Sequence, residues 1–383
     1  MSYEKTTWAA GDKVTSAKLN NIENGIEAVE SAATALNEQV QQNANVINDN
    51  AGILDDTIND VEYLLSKIYV LENKLEDMRK TNVVPRSVGL TEFPETTSTA
   101  VMDNKLTLDQ TSDDVVITVD EPMVGKCLEV NAKSVTAKDM QIESGKFTVT
   151  CPSGDVTFNG FETSGELVRT SAGPLNKAFD IDTNEYVTIK NCTFGMKAYN
   201  TLEIGLDNTA PKNVIIDNCV FEKNTNNSIL VFALAENGQI TISNCHFKAC
   251  SNVLRYSNRA NTKGVVINFI NCQFDELEAR SNMLQWKAVF ICEDYSSQAT
   301  NWVENNLFAP EKFTVNFVNC TYEGQPIEVK ENQEDYWNYG SAPAEGQQLL
   351  GVVCYDNFAH ESFTSDGIPT TYNAERLPVI NVR

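Results

Sequence analysis

Histidine is almost missing from this chain: His246 and His360 are the only two among 383 residues. Acid–base chemistry near neutral pH leans on histidine, so its scarcity argues against a triad hydrolase. Basic residues are also short, 29 against 53 acidic, giving a net charge of −24. Without a Lys or Arg cluster, nucleic acid or an anionic membrane has nothing to bind. No apolar stretch approaches the roughly 18 residues of a membrane span. The opening MSYEKTTWAAGDK lacks the apolar region of an export signal, and the expectation is a soluble chain made in a cytosol. Nucleophile elbow, phosphate loop and zinc spacing are all absent, so no cofactor, metal or catalytic residue is expected. Proline is absent before Pro85 and cysteine before Cys127, which sets the first segment apart from the rest.

In that segment, steps of three and four residues from Leu19 reach Ile22, Ile26, Val29, Ala33, Leu36, Val40, Asn43, Ile47, Asn50, Leu54, Thr57, Val61, Leu64, Ile68, Leu71, Leu75 and Met78. Fifteen of these eighteen positions are apolar, the pattern of a left-handed coiled coil. A rod over residues 18–80 would be about 95 Å long. Asn43, Asn50 and Thr57 fall on three successive d positions of the seam, where polar side chains fix register at some cost in stability. Val61 with Leu64 suits a parallel dimer, whereas Leu19 with Ile22 suits higher order; seam chemistry leaves two and three strands open.

Residues 101–330 follow another rhythm. VTIKNCTF at Val187 returns as VIIDNCVF, ITISNCHF, INFINCQF and VNFVNCTY, with cysteines at 192, 219, 245, 272 and 320. The spacings are 27, 26, 27 and 48, the last near two periods of 24. A period in the twenties marks a solenoid, and the period-two alternation before each Asn marks its units as strands. Asparagine tolerates the left-handed conformation of a tight bend. Stacked turns about 4.8 Å apart would therefore set Asn191, Asn218, Asn244, Asn271 and Asn319 in a hydrogen-bonded column beside Cys192, Cys219, Cys245, Cys272 and Cys320. Weaker copies, VTAKDMQI at Val135 and VTFNGFET at Val156, lack the cysteine. Seven or eight coils of a parallel β-helix are expected. The thiols then act as small buried apolar groups rather than as a disulfide framework, and His246, between two inward positions, should face solvent.

Ahead of the rod, TTWAAGDKVTSAKLNNIENGI (Thr6 to Ile26) resembles the amino-terminal segment of bacteriophage fibre proteins, especially head or tail fibres of phages infecting Gram-positive hosts. The residues that carry the likeness are Trp8, Gly11, Asp12, Val14, Thr15, Leu19, Asn20, Ile22, Glu23, Gly25 and Ile26. The order of anchor, coiled coil and β-helix is similar to that of phage fibres and tailspikes. This resemblance implies a homotrimeric virion protein with a right-handed parallel β-helix, attached to a phage capsid or tail protein through residues 1–17 and displaying the β-helix towards a host surface glycan. From the residues themselves, Thr15 or Ser16 can cap the helix, leaving Trp8 outside it either to enter a partner's pocket or to pack back on its own bundle.

Between these parts, residues 81–100 hold Pro85 and Pro94 among many Thr and Ser, and read as a linker. Residues 331–383 lose the repeat and gather aromatics, and read as a cap or trimer clamp over the open sheet end. The alternative function is a depolymerase working through paired carboxylates, with Glu203, Asp207, Asp217 and Glu236 as candidates expected to face outward.

Overall fold

The computed structural model describes residues 7, 9–79, 83–98, 100–167, 177–205, 209–278, 288–293, 313–338, 348, 350–354, 360–363, 369–372 and 378–383, with the side chains of 54–63, 66, 69–79, 293, 334, 337–338, 351–354, 360–363 and 369–372 left aside. The chain divides into two compact units, Met1–Thr81 and Asn82–Arg383.

The first unit is one helix, Ser16–Arg79, of 64 residues. Thr15 caps it: its Oγ1 accepts the Lys18 backbone N–H at 3.3 Å, and its carbonyl receives the N–H groups of Lys18 and Leu19. Most of its described seam positions are open, Ile22 being half-buried. Leu19, Ile26, Val29, Leu36, Val40, Ile47, Leu64 and Ile68 are all exposed in the single chain. Among the described residues no helix is long and apolar enough to cross a membrane.

The second unit is a parallel β-solenoid with three stacks of strands. Face 1 includes Val156–Asn159, Tyr186–Lys190, Asn213–Asp217, Gln239–Ser243, Val265–Ile270 and Phe313–Val318, each paired in register with the next. Among the described residues face 2 has nine short strands, of which the last, Gln325–Pro326, turns back antiparallel and leaves eight parallel rungs. Face 3 includes Lys146–Cys151, Lys177–Thr183, Asn200–Ile204, Asn227–Val231, Asn252–Tyr256 and Ala288–Glu293. In the earliest coils, Lys105–Val119 and Cys127–Lys138 are long enough to serve faces 3 and 1 in turn.

Alternation sends every second residue inward, so like residues meet on successive rungs. Phe194, Phe221, Phe247 and Phe274 stack at centroid distances of 4.8, 4.9 and 5.7 Å. All four are fully buried. Gly154 shows how closely coils approach: a Cβ there would lie 1.8 Å from the Lys133 carbonyl oxygen.

Three stretches depart from the sequence reading. The 48-residue interval from Cys272 to Cys320 is one coil, not two, because Val265–Ile270 pairs directly with Phe313–Val318 and Gln273 with Thr321. Spacing cannot distinguish a second coil from a long excursion between strands. The linker 81–100 contains the face 1 strand Val83–Val88, which pairs with Lys105–Val119. Pro85 is tolerated there because an edge strand can spare an N–H. Within 331–383, Gly351–Cys354 extends face 3 and Val379–Val382 extends face 1, so parallel stacking continues past residue 330.

Candidate functional site

The amino-terminal peptide is built around Asp12. Its Oδ2 accepts the Ala9 backbone N–H at 3.1 Å and pairs with Lys18 Nζ at 2.8 Å, while the Asp12 N–H donates to the Ala9 carbonyl at 3.1 Å. Lys18, then the Ala9 N–H, holds the Asp12 carboxyl below the usual carboxylate range. Gly11 sits at φ 92°, a backbone state that glycine enters without strain. The Gly-Asp pair thus makes a turn fastened to the first helical turn. Val14 beside it is 64 % exposed, and Trp8 lies outside the described residues. On the helix, Asn43 and Asn50 are exposed; the Thr57 side chain lies outside the described ones.

At the corner between faces 1 and 2, Asn191, Asn218, Asn244, Asn271 and Asn319 have φ between 50° and 54°. Asp139 and Gly160 hold the same corner in the earlier coils, at φ 51° and 73°. Asn218 donates its side-chain N–H to Asn191 Oδ1 at 2.8 Å, Asn271 to Asn244 at 3.2 Å and Asn319 to Asn271 at 2.8 Å. One rung differs: Asn244 donates to Asp217 Oδ1, at 2.8 Å, rather than to Asn218. Just inside the corner, Cys192, Cys219, Cys245, Cys272 and Cys320 are buried and free. Their thiols lie near carbonyls of their own and the preceding coil, as Cys272 Sγ does to Ile242 O at 3.3 Å. Met140 and Phe161, both fully buried, follow the corner residue in the cysteine-free coils. Burial pushes the Cys250 thiol up to about 11 and Cys219 well above its ordinary value, so these sulfurs are shielded from thiolate chemistry.

A second asparagine column escaped the sequence reading. Asn200, Asn227 and Asn252 stand opposite one another on face 3 and are buried. Asn227 Nδ2 donates to Asn200 Oδ1 at 2.9 Å and Asn252 Nδ2 to Asn227 Oδ1 at 3.4 Å. Their spacing of 27 and 25 residues was the available signal.

The candidate acids do not converge. Glu203, expected outward, is 4 % exposed; it lies on face 3, both sides of which are covered at this level, and pairs with Lys177 at 3.2 Å. Burial lowers the affinity of Lys177 for its proton, but the charges of Glu203 and Asp180 carry it above its ordinary value. Asp217 Oδ1 accepts both Ser243 Oγ at 2.7 Å and Asn244 Nδ2. Glu236 is exposed on the turn before Gln239–Ser243, at the opposite end of face 1 from Asp217. Five residues of strand between them span about 16 Å, beyond the roughly 6.5 to 9.5 Å of an inverting pair. Asp207 lies outside the described residues.

His246, expected to face solvent, is half-buried on face 2, with Nε2 2.9 Å from Asp275 Oδ2. Among the described residues no group of three or more His, Cys, Asp or Glu side chains is placed to hold a metal ion. No family model matches the chain, and neither a curated protein nor a solved structure does.

Proposed function

We propose that this chain is a structural virion protein of a bacteriophage, a fibre held to the head or tail by residues 1–17 and presenting its solenoid for adhesion to a host surface. The observation that carries the reading is the 64-residue helix, on which most of the apolar heptad positions among the described side chains stand open in the single chain. Burying such a stripe requires other helices, and copies of the same chain supply matching heptads in register. We take the assembly to be a parallel homotrimer with a right-handed solenoid, as the resemblance of Trp8, Gly11, Asp12, Val14 and Thr15 to phage fibre anchors implies. The ordered Ala9–Asp12 turn adds support, because a fastened peptide loses less freedom on docking than a floppy one.

The depolymerase reading has less behind it, with Glu203 in an ion pair, Asp217 holding the next rung and Glu236 apart from both. Sedimentation equilibrium on the intact chain tests the assembly: three chain masses are expected, and a monomer at micromolar concentration would overturn the fibre. Density for the chain in a map of the particle tests attachment.

A further inference from the structure

Face 3 brings together four buried groups with complementary chemistry. On the neighbouring parallel strands Lys177–Thr183 and Asn200–Ile204, Lys177 stands opposite Asn200 and Asp180 opposite Glu203. Their exposures are 7, 1, 7 and 4 %. The Glu203 carboxylate bridges the amine and the amide: Oε2 is 3.2 Å from Lys177 Nζ, and Oε1 accepts Asn200 Nδ2 at 2.7 Å. Asp180 Oδ2 holds Nζ from another side at 2.5 Å.

The carbonyl of the same amide is unusually well supplied with donors. Asn200 Oδ1 accepts Asn226 Nδ2 at 2.8 Å, Asn227 Nδ2 at 2.9 Å and the Asn227 backbone N–H at 3.2 Å. An amide oxygen offers two lone pairs, so three donors exceed what the ground state uses. They suit the negative oxygen of a tetrahedral intermediate.

We propose that Lys177 and Asn200 join in an autocatalytic isopeptide bond between Lys177 Nζ and Asn200 Cγ, with Glu203 carrying the proton. This modification stands independently of the fibre reading. The Lys177 ammonium first passes a proton to Glu203 Oε2, which replaces a buried ion pair by a neutral pair. The freed amine attacks Cγ; the new C–N bond forms as the carbonyl electron pair moves onto Oδ1, held by Asn226 and Asn227. Glu203 gives its proton to Nδ2, the Cγ–Nδ2 bond breaks, and ammonia leaves. The surplus proton on the attacking nitrogen returns to Glu203, which stays neutral, and Asp180 is placed to accept the new amide N–H. Atoms balance without any oxidant or outside reactant. Positioning of this kind supplies much of the barrier reduction in intramolecular reactions, and burial of Lys177 favours the neutral amine, opposing the hold of Glu203 and Asp180 on its proton. The product ties two successive coils covalently.

The intact mass of the full-length chain under denaturing conditions decides the matter. The expected mass is that of the sequence less one ammonia, with a tryptic product joining the peptides of Lys177 and Asn200 and no cleavage after Lys177. The Glu203→Gln variant, which cannot take the proton, should keep the ammonia. A wild-type chain at its full sequence mass overturns the proposal whether or not the variant folds. So does loss of water with a link from Lys177 to Asp180.

Discussion

Asn319 donates its side-chain N–H to Oδ1 of Asn271 at 2.8 Å across 48 residues of sequence. The same contact spans 27 residues between Asn218 and Asn191, so the corner is indifferent to how far the chain wanders between strands. What each corner demands is a residue at positive φ, and where that residue is asparagine its amide can give to one rung and receive from the next, as Asn271 does.

Asn271 tests these two demands separately, because it donates to Asn244 and accepts from Asn319 at φ 54°. Asn271→Gly removes the hydrogen bonds but keeps the backbone free of strain, at about 1 kcal/mol net per bond. Asn271→Ala adds left-handed strain of about 1–2 kcal/mol. Urea unfolding should rank wild type, Gly and Ala in falling order of midpoint; Ala equal to Gly would mean that the conformation contributes nothing.

Some corners already carry strain. Lys223, Ala249 and Glu276 sit at φ 64°, 52° and 52°, residue types without the tolerance of glycine or asparagine for that state. Ala249→Gly should stabilise the solenoid by about 0.5–1 kcal/mol, the relief of strain outweighing the added freedom of the unfolded chain. A lower denaturation midpoint for this variant would show that its Cβ contributes packing.

Burial raises Cys250 to about 11, and the linkage has a definite sign. Above about pH 8.5 an unfolded thiol ionises while the folded one stays protonated. The unfolded state then binds fewer protons, and stability falls as pH rises. By pH 11 this one group removes on the order of 2 kcal/mol. Melting temperature should drop between pH 9 and 11, and the drop should be smaller in Cys250→Ala. An identical pH slope in the variant would place the alkaline loss elsewhere.

The corner column was legible because every coil imposes the same requirement on one position, and Asn191 to Asn319 answer it with one residue type. The second column was harder to read: NTLEI, NSILV and NVLRY at Asn200, Asn227 and Asn252 share only the asparagine and a period-two alternation that any strand shows. The strand at Pro85 was hidden because proline and Thr-rich composition describe an edge strand as well as a linker. Glu203 was misplaced for a related reason. Strand alternation assigns a residue to a side of the sheet, and nothing local tells whether that side is covered.

Under the proposed fibre function, attachment to a phage particle should depend on the turn that Asp12 fastens. The turn lies ahead of the helix at Ser16, and removing it takes nothing from the heptad positions that begin at Leu19. Asp12→Ala loses both the Lys18 pair and the Ala9 contact, freeing a peptide that must then be ordered on docking. Trp8→Ala instead removes the large aromatic of the anchor, the kind of side chain whose truncation at an interface costs about 2 kcal/mol or more. Several anchors in one oligomer multiply the effect if they engage together. Both variants should keep the oligomeric mass and melting temperature of the wild type, while co-purification with phage particles falls strongly for Trp8→Ala and less for Asp12→Ala. Undiminished occupancy of particles by Trp8→Ala would move the attachment away from this peptide.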